Sequence, residues 1–258
     1  MKTFVVGDIH GAYKSLLQCL ERSRFDYEND RLIVLGDVCD GYNEVKQCID
    51  ELLKIKHCDF IIGNHDLWAL GWATRNETPE IWTGQGGDQT IVSYGGGPMP
   101  QAHIDFLRNA HLWIEFENKL FVHAGIDPTK KIEKHGLEYL TWDRNLVESA
   151  WKKAYQNSKY KFSTYDEIFV GHTTTQWLAR NKKTKGLTPE QIAELGTKPL
   201  FLCNVIILDT GAGWSGKLTI MDVNTHEYWQ SDCTCLAPLM GYRRERVKNW
   251  RISQFSLR

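Results

Sequence analysis

The sequence predicts an α/β fold built on a buried, largely parallel sheet, and three observations carry that prediction. The first is a set of short apolar runs: Phe4-Val5-Val6, Leu32-Ile33-Val34-Leu35, Phe60-Ile61-Ile62, Leu120-Phe121-Val122 and Ile168-Phe169-Val170. Runs of this length without polar alternation read as strands covered on both faces. The second is helical spacing between the first three runs, which gives β-α-β-α-β over residues 1–66 and therefore parallel strands joined by right-handed crossovers. The third is the polar tip that ends each run: Gly7-Asp8-Ile9-His10, Gly36-Asp37, Gly63-Asn64-His65-Asp66, His123 and Gly171-His172. Ligands of such sheets gather at the carboxyl ends of the strands. Five tips thus offer carboxylate, amide or imidazole groups to one place.

Tyr13, Leu16, Leu17 and Leu20 make the apolar stripe of a first helix, and Val45, Cys48, Ile49, Leu52 and Leu53 that of a second, ahead of a strand at 60–63. A third helix starts near Asn64 and carries Leu67, Trp68, Leu70 and Gly71. Residues 75–100 break the pattern with Gly84-Gln85-Gly86-Gly87 and Gly95-Gly96-Gly97-Pro98, which is turn chemistry. They read as a cap-like excursion beside the site, before a helix over 101–108. Residues 112–116 and 119–123 alternate about Glu117-Asn118 as a hairpin. Asp143 is the expected N-cap of a helix ending near Gln156, with Leu146, Val147, Ala150 and Trp151 on its buried side. Residues 180–199 read as a surface insertion with a short Pro189–Leu195 helix. Strands at 204–209 and 217–223 and a hairpin return at 226–230 close the fold.

A chain of 258 residues with no linker-like stretch is expected to form a single domain over 1–258. The net charge of −1 gives no overall electrostatic claim on nucleic acid or membrane. No apolar run approaches the roughly 20 residues of a membrane span. Met1-Lys2-Thr3-Phe4 enters a strand at once, with no room for a signal peptide, and seven scattered cysteines suggest reduced thiols, so a cytoplasmic protein is expected.

Asp, Asn and His together are hard-to-borderline donors, suited to Mn, Fe, Zn or Mg. Two such ions about 3.5–4 Å apart can bind both ends of a phosphoester displacement, and they need a bridging carboxylate. Each tip has a bland alternative: an Asx turn at Asp8, a helix N-cap at Asn64, a core histidine at His172. All of these would have to hold at once.

Gly7-Asp8-Ile9-His10-Gly11, Gly36-Asp37-Val38-Cys39-Asp40-Gly41, Gly63-Asn64-His65-Asp66, His123-Ala124-Gly125 and Gly171-His172-Thr173 resemble, in order, the signature blocks of the calcineurin-like metallophosphoesterases. The set is closest to the phosphoprotein phosphatase branch in its short bacterial and bacteriophage form. Leu208-Asp209-Thr210-Gly211 resembles the start of that branch's carboxyl-terminal sheet. The resemblance implies a metallophosphoesterase fold, a central β-sandwich of mixed sheets flanked by helices in four α/β/β/α layers. It also implies two divalent ions, with manganese favoured and Fe, Zn, Mg and Ni as alternatives. Carried over by position, Asp8 and His10 hold the first ion, Asp37 bridges, and Asn64, His123 and His172 hold the second. His65 protonates the leaving oxygen, Asp40 orients it, and a hydroxide between the ions attacks phosphorus in line.

One departure stands out. The second block usually carries an Arg after its second Asp, and here Gly41 stands in that place. A guanidinium is the natural phosphate clamp, so Arg144 is the expected replacement and, with Asn64, the expected contact for substrate phosphate. Arg75, Arg108 and Arg180 are the alternatives.

The remaining features read as structural. Cys233-Thr234-Cys235 lacks partners at zinc spacing, and the basic, aromatic tail over 242–255 reads as a solvated helix more readily than as a nucleic-acid grip. Trp82 and Trp214 fall in Gly-rich segments near the expected cleft, where an indole can stack on a base. The expected activity is that of a Ser/Thr-type protein phosphatase or broad phosphomonoesterase, acting on a phosphoprotein or nucleotide. The alternative is a nucleotide or RNA-end phosphohydrolase for dinucleoside polyphosphates or cyclic phosphates, and a remote one is a non-catalytic scaffold.

Overall fold

The computed structural model describes residues 1–181, 191 and 194–234. Two five-stranded sheets face each other. The first runs in the order β10-β9-β1-β2-β3, from β1 (Thr3–Val6), β2 (Arg31–Val34), β3 (His57–Phe60), β9 (Thr219–Asp222) and β10 (Tyr228–Gln230). The second runs β4-β5-β6-β8-β7, from β4 (Trp113–Phe116), β5 (Lys119–Val122), β6 (Glu167–Val170), β7 (Leu200–Leu202) and β8 (Val205–Ile207). β1, β2 and β3 are parallel, as are β5, β6 and β8, while β9, β10, β4 and β7 pair antiparallel with their neighbours.

The two-residue period of a strand explains the layers. Val5, Ile33, Phe121, Phe169 and Ile206 point into the space between the sheets, where they meet Leu35, Leu208 and Met221. Their neighbours Phe4, Val6, Leu32 and Val34 point outward beneath α1 (Tyr13–Arg22) and α2 (Val45–Leu52). Leu120, Val122, Ile168 and Val170 point outward on the other side, beneath α8 (Asn145–Ala154). Both faces of the central strands are buried, which is why their sequences read as unbroken apolar runs. The result is the expected four-layer sandwich.

Several boundaries differ from expectation. The third strand lies over 57–60, three residues early, because Arg31, Leu32, Ile33 and Val34 pair with His57, Cys58, Asp59 and Phe60. Residues 61–63 instead lead into α3 (Asn64–Arg75). The 75–100 segment carries two short helices, α4 (Glu80–Trp82) and α5 (Asp88–Ser93), joined through a kink at Gln85 and Gly86, ahead of α6 (Gln101–Arg108). A Cβ on Gly87 would lie 2.3 Å from the Trp82 indole, so this glycine allows close packing inside a helical segment. The hairpin at 113–122 turns through Glu117 and Asn118, both left-handed, as a two-residue hairpin loop requires. Asp143 lies one residue ahead of the N-cap of α8, yet its carboxylate accepts the Leu146 N–H at 3.3 Å. Two elements carry no clear sequence signal, β7 and α7 (Leu137–Trp142); α9 (Thr175–Asn181) opens the expected insertion, most of which, with the tail, lies outside the described residues. Cys19, Cys39, Cys48, Cys58 and Cys203 are free thiols. Cys233 is disulfide-bonded and so departs from the expected reduced thiols. No described helix is long and apolar enough to cross a membrane.

Candidate metal centre

The carboxyl ends of β1, β2, β5, β6 and β8 open at one end of the sandwich and deliver Asp8, His10, Asp37, His123, His172 and Asp209. Asn64 and His65 come from the first turn of α3. His10, Asp37, Asp40 and His172 have φ of 50°, 50°, 71° and 59°. A left-handed backbone costs a non-glycine residue roughly 1–2 kcal/mol, so the surrounding bonds must hold this geometry. They do so from the backbone outward. The Asp37 carbonyl accepts both the Ile9 and His10 N–H groups. Asp66, fully buried, accepts the Asp37 and Gly63 N–H groups at 2.6 and 2.9 Å and the Cys39 N–H at 3.1 Å. Asp66 therefore staples the second block to the start of α3, a role its place in Gly63-Asn64-His65-Asp66 does not reveal.

Two donor clusters share Asp37. One joins His10, Asp37 and His65, the other Asp37, His123 and His172, with donor atoms within 4.8 Å of one another in each. His123 Nε2 lies 3.4 Å from Asp37 Oδ2 and 3.2 Å from Asn64 Oδ1, and His10 Nε2 lies 3.8 Å from Asp37 Oδ2. Asp8 stands outside both clusters: its carboxylate accepts the His172 backbone N–H at 2.9 and 3.2 Å. His65 Nδ1 lies 2.6 Å from Asp40 Oδ2. The rings form a chain around the centre, His10 to His65 at 4.9 Å, then Trp68, Trp142, His172 and His123 at 5.2, 5.1, 5.9 and 5.2 Å.

The electrostatics are those of a buried, acid-rich site. Burial, then the neighbouring Asp209 and Asp37, pushes the Asp8 carboxyl well up, and burial with Asp37 lifts Asp66 and Asp209 to about 6. Burial also works to raise Asp37, but the imidazoles of His123 and His65 overcome it and hold that carboxyl below its usual range. For His65 burial is the largest influence and works downward; Asp37 and Asp40 outweigh it and raise the ring to about 9. His10 falls to about 4 through burial, and His172 falls through burial and the nearby Arg144 charge.

Comparison with known proteins decides the class. Residues 1–194 match the model of the calcineurin-like phosphoesterases. The chain belongs to that family. A symmetrical bis(5'-nucleosyl)-tetraphosphatase of Dechloromonas aromatica is 26% identical, over 91% of this chain and 97% of its own length. Serine/threonine-protein phosphatase 1 of Salmonella typhimurium is 25% identical, over 84% and 89%. In fold, this phosphoesterase is similar to a crystal structure described as a candidate diadenosine tetraphosphatase, with a TM-score of 0.62, 18% identity and coverage of 89% and 92%.

Membership implies a dinuclear divalent-metal site, and the phosphoesterase's residues fit one. His172 Nε2 is buried without a hydrogen-bond partner, a costly orphan that a cation would satisfy. The Nδ1 atoms of His10 and His123 must donate to the carbonyls of Cys39 and Leu35, at 3.0 and 2.7 Å, because carbonyls only accept. That fixes the tautomer and leaves each Nε2 lone pair free to bind a metal, as metal-binding histidines commonly arrange. Asp8, Asp37 and Asp209 are buried together at this end of the sandwich, and a cation between them would offset the cost of their charge.

The site opens into a cavity of about 350 Å³. Its walls include Trp142, Trp177 and Trp214, with Arg144 and Arg180 as cations and Asp209 beside them. Of the alternative arginines, Arg75 is exposed and bound through two nitrogens to Glu77, at 2.6 and 2.8 Å, and Arg108 faces Asp105 at 3.5 Å. Neither lines the cavity. Gly41 does, with φ +77° and a would-be Cβ 2.9 Å from His10, which explains why an arginine is not accommodated there. Trp82, expected near the cleft for stacking, is instead fully buried behind Asp40, its indole N–H 2.8 Å from Oδ2. Gln85, Gln176 and Ser215 also line the cavity, and no run of the sequence marks them out.

Proposed function

We propose that this phosphoesterase hydrolyses dinucleoside polyphosphates, with a dinucleoside tetraphosphate cut symmetrically as its leading substrate, in preference to phosphoserine or phosphothreonine. The observation that carries this reading is the cavity wall: three tryptophans and two arginines around a metal-ligand cluster. Aromatic faces suit bases, each stack contributing about 1–3 kcal/mol, and guanidinium groups suit a polyphosphate chain. The tetraphosphatase names among its relatives support the same choice over a protein substrate.

In this reading Asp8 and His10 hold one ion, Asn64, His123 and His172 the other, and Asp37 both. The ions supply a nucleophile at neutral pH and neutralise charge on the phosphate. Arg144 and Asn64 grip phosphate oxygens, and His65 delivers a proton to the leaving oxygen while Asp40 holds its far nitrogen.

The test is a substrate panel with Mn²⁺: a dinucleoside tetraphosphate, a phosphoserine peptide, and aryl mono- and diesters. The tetraphosphate should show the highest kcat/KM. Trp214→Ala should raise its KM by roughly 10-fold, with a smaller effect on the aryl esters. A phosphopeptide turned over faster than the tetraphosphate would overturn the assignment.

Arg144 has its own expected outcome. It is exposed on the cavity wall, in the field of Asp209 and Asp37. Arg144→Ala should lower kcat/KM by about 10-fold to a few hundred-fold, the worth of a hydrogen bond to a charged group. Wild-type kinetics would transfer the phosphate contact to Arg180.

A further inference from the structure

Asp40 is fully buried and receives hydrogen bonds from three side chains. The Trp82 indole N–H donates to both carboxylate oxygens, at 2.9 Å to Oδ1 and 2.8 Å to Oδ2. The Thr90 hydroxyl donates to Oδ1 at 2.7 Å, and the His65 ring meets Oδ2 at 2.6 Å through Nδ1. Thr90 is tied twice, because its oxygen also accepts the Asp40 backbone N–H at 2.8 Å. That closed ring fixes both the left-handed backbone of Asp40 and the rotation of its carboxylate.

Trp82 and Thr90 both come from the 75–100 excursion, both are fully buried, and neither lines the cavity. Their hydrogen bonds reach the site through Asp40. A carboxylate free to swing would let the His65 ring exchange tautomers or turn. One held from behind by an indole and a hydroxyl presents a single oxygen to Nδ1. The opposite edge of the ring, with Nε2, then faces the cavity that His65 lines.

We propose that Trp82 and Thr90 are positioning residues that lock Asp40, so that His65 keeps its Nδ1–H on Asp40 and turns Nε2 towards the leaving oxygen of the substrate. This rests on the reading of His65 as proton donor given above. Trp82 and Thr90, in this view, govern chemistry and not substrate binding. They act most where protonation matters most, on poor leaving groups.

The experiment compares Trp82→Phe, Thr90→Val and Thr90→Ser on an alkyl phosphomonoester and on 4-nitrophenyl phosphate, each also in a His65→Asn background. Metal content and thermal unfolding are measured on the same samples. Trp82→Phe and Thr90→Val should each lower kcat on the alkyl ester about 10-fold, with less effect on the aryl ester and little change in KM. Thr90→Ser, which keeps the hydroxyl, should restore most of the loss. In the His65→Asn background neither substitution should cost anything more, because the group they act through is gone. Losses that are equal on the two esters, or that multiply with the His65→Asn loss, would overturn the proposal.

A second readout separates this inference from the acid role itself. In ¹⁵N-histidine-labelled protein loaded with diamagnetic Mg²⁺, the downfield Nδ1–H resonance of His65, assigned by its absence in His65→Asn, should move or broaden in Thr90→Val and return in Thr90→Ser. A resonance unchanged in Thr90→Val would refute the positioning whatever His65 does. A resonance that responds, with His65→Asn losses equal on both esters, would keep the lock and remove only the acid. Should Trp82→Phe not fold, the Thr90 pair decides alone.

Discussion

Asp37→Asn is expected to lower the occupancy of both metal ions together and to reduce turnover by at least about 10³-fold, some 4 kcal/mol. Asp37 is the residue shared by the two donor clusters, and its Oδ2 lies 3.8 Å from His10 Nε2 and 3.4 Å from His123 Nε2. Asparagine keeps the size and one oxygen but gives up the charge and the second strong donor. His10→Asn and His172→Asn serve as references, since each touches one cluster and should empty one position before the other. Elemental analysis across a Mn²⁺ titration reads the result directly. A maximum of one ion in the wild-type protein, or Asp37→Asn losing a single ion cleanly, would contradict the bridging arrangement.

His65→Asn is the second large effect, and its size should depend on the leaving group. An alkoxide is a very poor leaving group, so loss of a general acid should cut alkyl monoester turnover about 10²–10⁴-fold. A nitrophenolate departs unprotonated and should lose clearly less. The central cut of a dinucleoside tetraphosphate expels a nucleoside diphosphate, whose terminal phosphate takes up its last proton only near pH 6, as phosphate monoesters do (about 6). That substrate should resemble the aryl ester. Metal content distinguishes two explanations of any loss, because His65 falls within 4.8 Å of His10 and Asp37 donors as well as against Asp40. Intact metal with a leaving-group dependence supports the acid. Lost metal would make His65 a ligand, and equal losses on all three substrates would end the acid role.

The strand tips were legible because two independent constraints write themselves into the same residues. Burial on both faces makes Phe4-Val5-Val6 and Ile168-Phe169-Val170 continuous, and the fold's opening at the carboxyl ends forces the donors to come directly after. The 75–100 segment was not legible for a converse reason. Its glycines look like turn punctuation, but Gly87 is there to let the Trp82 ring pack and Gly86, at φ +104°, to kink a helix. Its ties to the site are long-range bonds to Asp40, 42 residues away from Trp82 and 50 from Thr90, and no local pattern encodes them. β7, at three residues, and α7, at six, are too short for periodicity to register. The cavity walls escaped for the same reason: Gln85, Gln176 and Ser215 matter by position, and their residue types are ordinary.

The donors hang from two separate sheets, Asp8, His10, Asp37 and Asn64 from one and His123 and His172 from the other. What spaces them is the middle layer, where Phe121 and Phe169 lie stacked at 4.8 Å against Val5, Ile33 and Leu35 of the facing sheet. That layer works as a caliper. Ions held by residues of both sheets would bind the folded chain and not the unfolded one, and so would stabilise it. At a hundred times its dissociation constant, each ion adds about 2.7 kcal/mol to the folded state. Hydrocarbon that carries no donor atom therefore sets the spacing between the two groups of residues proposed to hold the ions.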